Sequence, residues 1–116
     1  MALGFLATTA RSDEITLSLP AELAPPLADA VKHLRATASG ERANRFEKLA
    51  SHLAAGELSG PRDTLGELLA TAIDETGERI GNDSSRLLRG DATAGELRAR
   101  LHELGALLDL LETLLP

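Results

Sequence analysis

A heptad seam of leucines runs along the C-terminal part of the chain. Successive members are 4, 3, 4, 3 and 4 residues apart, which puts leucine at every a and d position of a coiled-coil repeat. The members are Leu97, Leu101, Leu104, Leu108, Leu111 and Leu115. A second row, Leu107, Leu110 and Leu114, widens the apolar stripe over the last two turns. The pattern predicts a long helix that packs against other helices, either of its own chain or of a partner.

The positions that flank the seam indicate how it is used. A solvent-facing dimeric coiled coil carries complementary charges at its e and g positions. Here the g positions are Arg100, Leu107 and Leu114, and the e positions are Arg98, Gly105 and Glu112. Because two g positions are apolar, the stripe is wider than a dimeric seam needs. The sequence therefore favours burial in a multi-helix bundle, with part of the row 107–115 shared with a second copy. The predicted core residues are Leu101, Leu104, Leu108 and Leu111.

Three further segments show the 3.6-residue periodicity of amphipathic helices. They are expected at about 26–37, 41–55 and 63–80, each with a row of apolar residues on one face. Gly56 is a candidate for the residue that follows the second helix, and Gly81-Asn82 is expected to end the third. A short helical turn is predicted at 83–89. The last helix is predicted to begin at Thr93, with Glu96 three residues later in a capping box.

One segment, at residues 14–19, alternates polar and apolar side chains with the period of a strand and ends at Pro20. No second strand is predicted, because Ser59-Gly60-Pro61 is interpreted as a break between helices. The strand is therefore expected to pair with a second chain or to lie over the helices as an extended arm. The chain is therefore predicted to consist of an N-terminal arm at 1–25 and a helical bundle domain at 26–116.

Composition also favours helices. The chain has 116 residues, the length of one domain, and its aromatic residues are Phe5 and Phe46. Sheet proteins depend more on aromatic and β-branched side chains, whereas this chain is rich in alanine and leucine. The expected fold class is all-α: a compact bundle of four to five helices with an extended or single-strand N-terminal arm.

The sequence offers little for catalysis or for a cofactor. It contains no cysteine, which excludes disulfides, thiolate chemistry and cysteine-ligated metals. His33, His52 and His102 fall on three predicted helices, and of these only His33 has a carboxylate four residues away, at Asp29. No phosphate-binding loop, dinucleotide fingerprint or nucleophile motif is present. We therefore expect no enzyme activity, no cofactor and no metal site.

The net charge of −6 argues against nucleic acids and anionic membranes as partners. One stretch, residues 31–52, is basic, and within it Arg42 and Arg45 are candidates for contact with an acidic protein surface. No apolar run approaches the ~20 residues that a membrane span needs. The protein is expected to be cytoplasmic.

One short segment resembles a known family. Residues 15–23, Ile-Thr-Leu-Ser-Leu-Pro-Ala-Glu-Leu, resemble the opening of ribbon–helix–helix regulators and antitoxins. The resemblance implies a strand that pairs across a dimer, with Thr16 and Ser18 facing the major groove of DNA. The chain departs from the family pattern at Glu14, which would repel phosphate, in the lack of Arg or Lys in the strand, and at Pro25-Pro26.

These patterns together predict a non-catalytic helical protein–protein interaction or assembly module, such as an adaptor or regulatory subunit. Its expected partner is another protein or a second copy of itself. The predicted partner-binding residues are Leu107, Leu110, Leu114, Arg42 and Arg45. The alternative is a dimeric DNA-binding regulator or antitoxin of the ribbon–helix–helix kind, and a metal- or cofactor-binding bundle ranks third.

Overall fold

Four helices and a two-stranded antiparallel sheet make up residues 14–115, the part of the chain that the computed structural model describes. In chain order they are β1 (Glu14–Leu17), a 3-10 turn (Ala21–Leu23), α1 (Ala24–Thr37), α2 (Gly40–Ala54), β2 (Leu58–Pro61), α3 (Arg62–Leu88) and α4 (Ala94–Leu114). The mostly helical fold predicted from periodicity and composition is confirmed. The part of the predicted arm at residues 1–13 lies outside the described residues.

α3 is one continuous helix of 27 residues, so the predicted stop at Gly81-Asn82 and the separate turn at 83–89 are wrong. Weak helix formers cost only ~1 kcal/mol or less each, and packing along α4 offsets that cost. α3 ends instead at Leu88, and Gly90 follows two residues later with a φ of +82° that suits glycine. There the backbone N–H of Asp91 donates to the Arg86 carbonyl at 2.7 Å, and the N–H of Gly90 donates to the Leu87 carbonyl at 3.0 Å. This is a Schellman motif.

β1 pairs with β2 inside the same chain, which overturns the prediction that it has no partner there. Thr16 lies opposite Ser59, and their hydroxyl oxygens are 3.0 Å apart. The residues interpreted as a break, Ser59-Gly60-Pro61, are therefore the body of β2. Gly60 and Pro61 have low strand propensity, so this strand shows no alternating pattern; proline is tolerated because it is the last residue of the strand.

The core is built from one face of each helix together with Leu58 of β2 and Leu23 of the 3-10 turn. Ile15, Leu17 and Leu19 pack against it from the N-terminal side. The described residues of the predicted arm, 14–25, therefore share the core of the bundle. The buried apolar residues are Leu23, Leu27, Ala30, Val31, Leu34, Phe46, Leu49, Leu53, Leu58, Leu65, Leu68, Leu69, Ala72, Leu107 and Leu114.

α4 enters this core with a different row of leucines from the one that the sequence predicted. Leu107 and Leu114 are 0% and 4% exposed, whereas Leu101 and Leu108 are 49% and 43% exposed. The predicted core residues Leu101 and Leu108 are therefore on the surface, and Leu104 and Leu111 are half-buried. Conversely, two residues predicted to bind a partner, Leu107 and Leu114, are core residues. The cause is rotation: α4 packs on the rest of the chain through its g positions.

The assignment of the inward row is tested by Leu107→Ala against Leu108→Ala. Truncation at Leu107 leaves a cavity in a closed core and should lower the free energy of unfolding by about 2–5 kcal/mol. Truncation at Leu108, which is already partly in water, should cost about 1 kcal/mol or less at concentrations where the chain is monomeric. Urea unfolding followed by circular dichroism measures both. Equal losses, or a larger loss at Leu108, would contradict the rotation of α4.

Thr76 of α3 is fully buried, and its hydroxyl has no hydrogen-bond partner among the described residues. A buried hydroxyl without a partner opposes folding, because it loses its bonds to water. Thr76→Val keeps the shape and removes the polar group, so it should raise the free energy of unfolding by about 1 kcal/mol. Thr71→Val, at a partly exposed position of the same helix, is the control. A destabilised Thr76→Val protein would show that the hydroxyl is satisfied.

Candidate interaction surface

α3 and α4 form an antiparallel hairpin. At the base, Arg62 donates through Nη1 to the backbone carbonyl of Leu114, near the end of α4. The turn at the tip is closed by the Gly90 motif and by the side chain of Thr93, which accepts the N–H of Glu96 at 3.2 Å. The predicted cap at Thr93 is thus confirmed.

One flank of the hairpin is covered by the N-terminal elements. Three polar contacts join the two sides: an ion pair of Asp29 with Arg79 at 3.4 Å, and histidine–carboxylate contacts of His33 with Glu75 at 2.5 Å and of His102 with Glu22 at 3.4 Å. Ala106 and Leu110 of α4 pack against the core along the same flank. Leu110, which was predicted to bind a partner, therefore faces the 3-10 turn side of α4 and is half-buried.

A charge cluster lies between the two helices near the tip. Asp83 is 8% exposed, and it accepts a hydrogen bond from Nε of Arg100 at 3.3 Å. Arg86 lies 3.7 Å from the other Asp83 oxygen, and Arg100 also reaches Glu103 at 3.3 Å. Sequence reasoning missed this cluster. The signal in the sequence is that Asp83 and Arg100 carry opposite charges and lie on either side of Thr93, where the last helix is predicted to begin.

The six leucines of the heptad seam lie along one side of α4, and we call this set the leucine face. On an ideal helix its centre is about 90° around the axis from the buried row of Leu107 and Leu114. Leu101, Leu108 and Leu115 are 49%, 43% and 60% exposed. Leu97, Leu104 and Leu111 are half-buried. No element in the described part of the chain covers these leucines fully.

α3 adds a shorter apolar row beside the leucine face. Ile73, Ile80 and Leu87 are spaced seven residues apart and are all half-buried. In the segment between Ala72 on α3 and Leu107 on α4, which the structure describes throughout, two residues are buried. Both are polar: Thr76 and Asp83. The outer half of the hairpin therefore has apolar side chains but no closed apolar core of its own.

The predicted basic surface on α2 is largely compensated by acidic neighbours. Arg42 forms an ion pair with Glu67 of α3 and lies over the Phe46 ring, 5.2 Å from its centroid. Arg45 lies 4.0 Å from Glu41 one turn earlier. Both arginines are exposed, so they remain available for a contact, but each already has a carboxylate beside it.

The three histidines do not come together: each pairs with a different carboxylate, at Glu75, Glu57 or Glu22. Among residues 14–115, no group of three or more His, Cys, Asp or Glu side chains is placed to hold a metal ion. Within the same range, no helix has the length and the apolar character to cross a membrane.

Comparison of the chain with protein-family models, with curated proteins and with solved structures finds no match.

The charge cluster is tested by Asp83→Asn, which keeps the size of the side chain and removes its charge. Arg100 then loses its ionic partner between the helices, so the free energy of unfolding should fall by about 1–3 kcal/mol. Amide hydrogen exchange should accelerate most at the tip of the hairpin, since that end has no closed apolar core. Asp109→Asn, on the exposed side of α4, is the matched control. If both variants unfold alike, Asp83 does not hold the hairpin.

Proposed function

We propose that this protein is a non-catalytic helical interaction module that binds another polypeptide through the leucine face of α4. The observation that carries the proposal is an unbroken heptad seam on a folded helix, with three of its leucines between 43% and 60% exposed. Contiguous exposed apolar surface on a folded domain typically marks an interaction site.

The energetics of the leucine side chains support this proposal. Full burial of a leucine contributes about 1.5–3 kcal/mol relative to exposure. The monomer gains only part of this at Leu101, Leu108 and Leu115, so folding of the monomer does not explain why these positions are leucine. The heptad spacing is the one that lets another helix insert its side chains as knobs between them. A helix of a partner chain therefore fits the leucine face better than a small molecule does.

The proposal replaces the predicted partner-binding residues Leu107, Leu110 and Leu114 with the exposed leucines Leu101, Leu108 and Leu115. Arg42 and Arg45 lie on α2, away from this face, and are retained as a second contact for an acidic protein surface. Within this proposal the protein acts as an adaptor, regulatory subunit or assembly part, with no catalysis of its own.

The DNA-binding alternative receives less support from the geometry of β1. β2 occupies one edge of the strand, and the Thr16 hydroxyl is bonded to Ser59 rather than free to contact a base. Pairing across a dimer would have to use the other edge of β1. The overall charge of −6 adds long-range repulsion from DNA.

The test compares Leu108→Glu with Leu88→Glu. Leu88, at the end of α3, is 89% exposed and lies outside the leucine face, so it receives the same change as a control. Each tagged protein is used to isolate bound polypeptides, including untagged copies of its own chain, from extracts of the source cells. Polypeptides bound by the wild type should be lost with Leu108→Glu and kept with Leu88→Glu, while circular dichroism shows both variants folded. The same bound set for all three proteins would refute the proposal.

A further inference from the structure

We infer that the leucine face binds the same face of a second copy, with the two α4 helices antiparallel about a two-fold axis beside Gly105. This deepens the proposed function and rests on it, because it names the occupant of the surface already described. A two-fold contact needs a surface that is complementary to itself. Three features of α4 meet that requirement: the leucine layers, the flanking charges and the glycine between them.

The leucine layers fit one antiparallel register. In an antiparallel pair of helices each a position faces a d position of the other helix. Leu101 then meets Leu111 of the second copy, Leu104 meets Leu108, and Leu97 meets Leu115. The two-fold axis repeats each contact, so all six leucines of both copies are used. A shift by one heptad in either direction leaves at least one leucine of each copy without a facing leucine.

The flanking charges decide the orientation. Arg98 and Glu112 are e positions, each seven residues from Gly105, and both are exposed. Neither takes part in an ion pair between described residues. In the antiparallel register Arg98 of each copy comes beside Glu112 of the other, which gives two equivalent ion pairs. In a parallel pair, e positions meet g positions, so Glu112 would lie beside Leu107, a core residue.

Gly105 lies at the centre of this arrangement. Glycine within a helix weakens it relative to alanine, so a glycine there needs a reason. The monomer supplies none, since a Cβ atom built at Gly105 meets no atom within 4 Å, as is also the case for Gly66, Gly77 and Gly81 within α3. In the antiparallel pair the two Gly105 residues face each other near the axis, where side chains from both copies would compete for the same space. The glycine is thus explained by the second copy.

Each hairpin contributes the row of Ile73, Ile80 and Leu87 beside its leucine face, so the pair of hairpins makes a four-helix arrangement. The g positions of α4 contact the chain's own core, and its a and d positions contact the second copy. This division accounts for the apolar g positions, which are unsuited to a free two-stranded coiled coil but are suited to a bundle.

The experiment is a charge-reversal series on the full chain, with dimer dissociation measured by sedimentation equilibrium at low salt. Arg98→Glu alone and Glu112→Arg alone each place like charges together twice, so each should weaken the dimer roughly 10-fold or more. The double variant restores both pairs with reversed polarity and should return to within about threefold of the wild type. Lys32→Glu, on the exposed side of α1, matches the charge change of Arg98→Glu and should have no effect.

Three results would overturn the inference. If the chain is monomeric at millimolar concentration, the occupant is not a second copy; the proposed function still stands if Leu108→Glu abolishes binding of other polypeptides. If Leu108→Glu dissociates the dimer but the double charge reversal fails to rescue either single variant, the copies do not pack antiparallel in this register. If the dimer is insensitive to Leu108→Glu, another surface forms it. High salt should reduce the differences between charge variants, since exposed ion pairs are screened.

Discussion

The packing of Leu107 and Leu114 into the core fixes the rotation of α4 about its axis. This rotation determines which residues of the helix lie on the surface. Leucines cover more than a third of the circumference of α4, so several rotations of the helix would bury leucine. The ionic contact between Asp83 and Arg100 at the tip and the bond from Arg62 to the Leu114 carbonyl at the base hold the same rotation at both ends. The heptad seam is consequently turned outward.

The sequence defined the apolar positions of α4 correctly but not which of them face inward. Leu107 and Leu108 are adjacent, and both repeat with a seven-residue spacing at Leu114 and Leu115. Periodicity therefore describes two overlapping stripes equally well, and the choice depends on where α1, α3 and the 3-10 turn lie. Burial of the longer, more regular seam is expected for an isolated bundle, but in this chain Leu107 and Leu114 are buried instead. The features that made it regular are those expected of an intermolecular seam.

Other parts of the fold could be predicted where interactions between residues close in sequence determine them. The end at Gly56 and the cap at Thr93 follow from backbone conformation and short-range hydrogen bonds, and the sequence predicts both. β2 was missed because Gly60 and Pro61 carry no strand signal, and the strand forms only because β1 supplies its partner. The continuity of α3 through Gly81 and Asn82 was missed for the same kind of reason: contact with α4 and α1 outweighs weak local propensity.

In this arrangement, packing of α4 on its own chain and the proposed association use different faces of the same helix. The g row and the ion pairs hold α4 on the rest of the chain, whereas the a and d rows, about a quarter of a turn away, are the rows that the proposed association would use. In a helix that used one stripe for both purposes, each change that weakened association would also destabilise the fold. Here the two effects are carried by neighbouring residues, Leu107 and Leu108. In the proposed dimer Gly105 fits the same division, because its helix-weakening effect falls on the fold whereas the space that it leaves would be used at the contact.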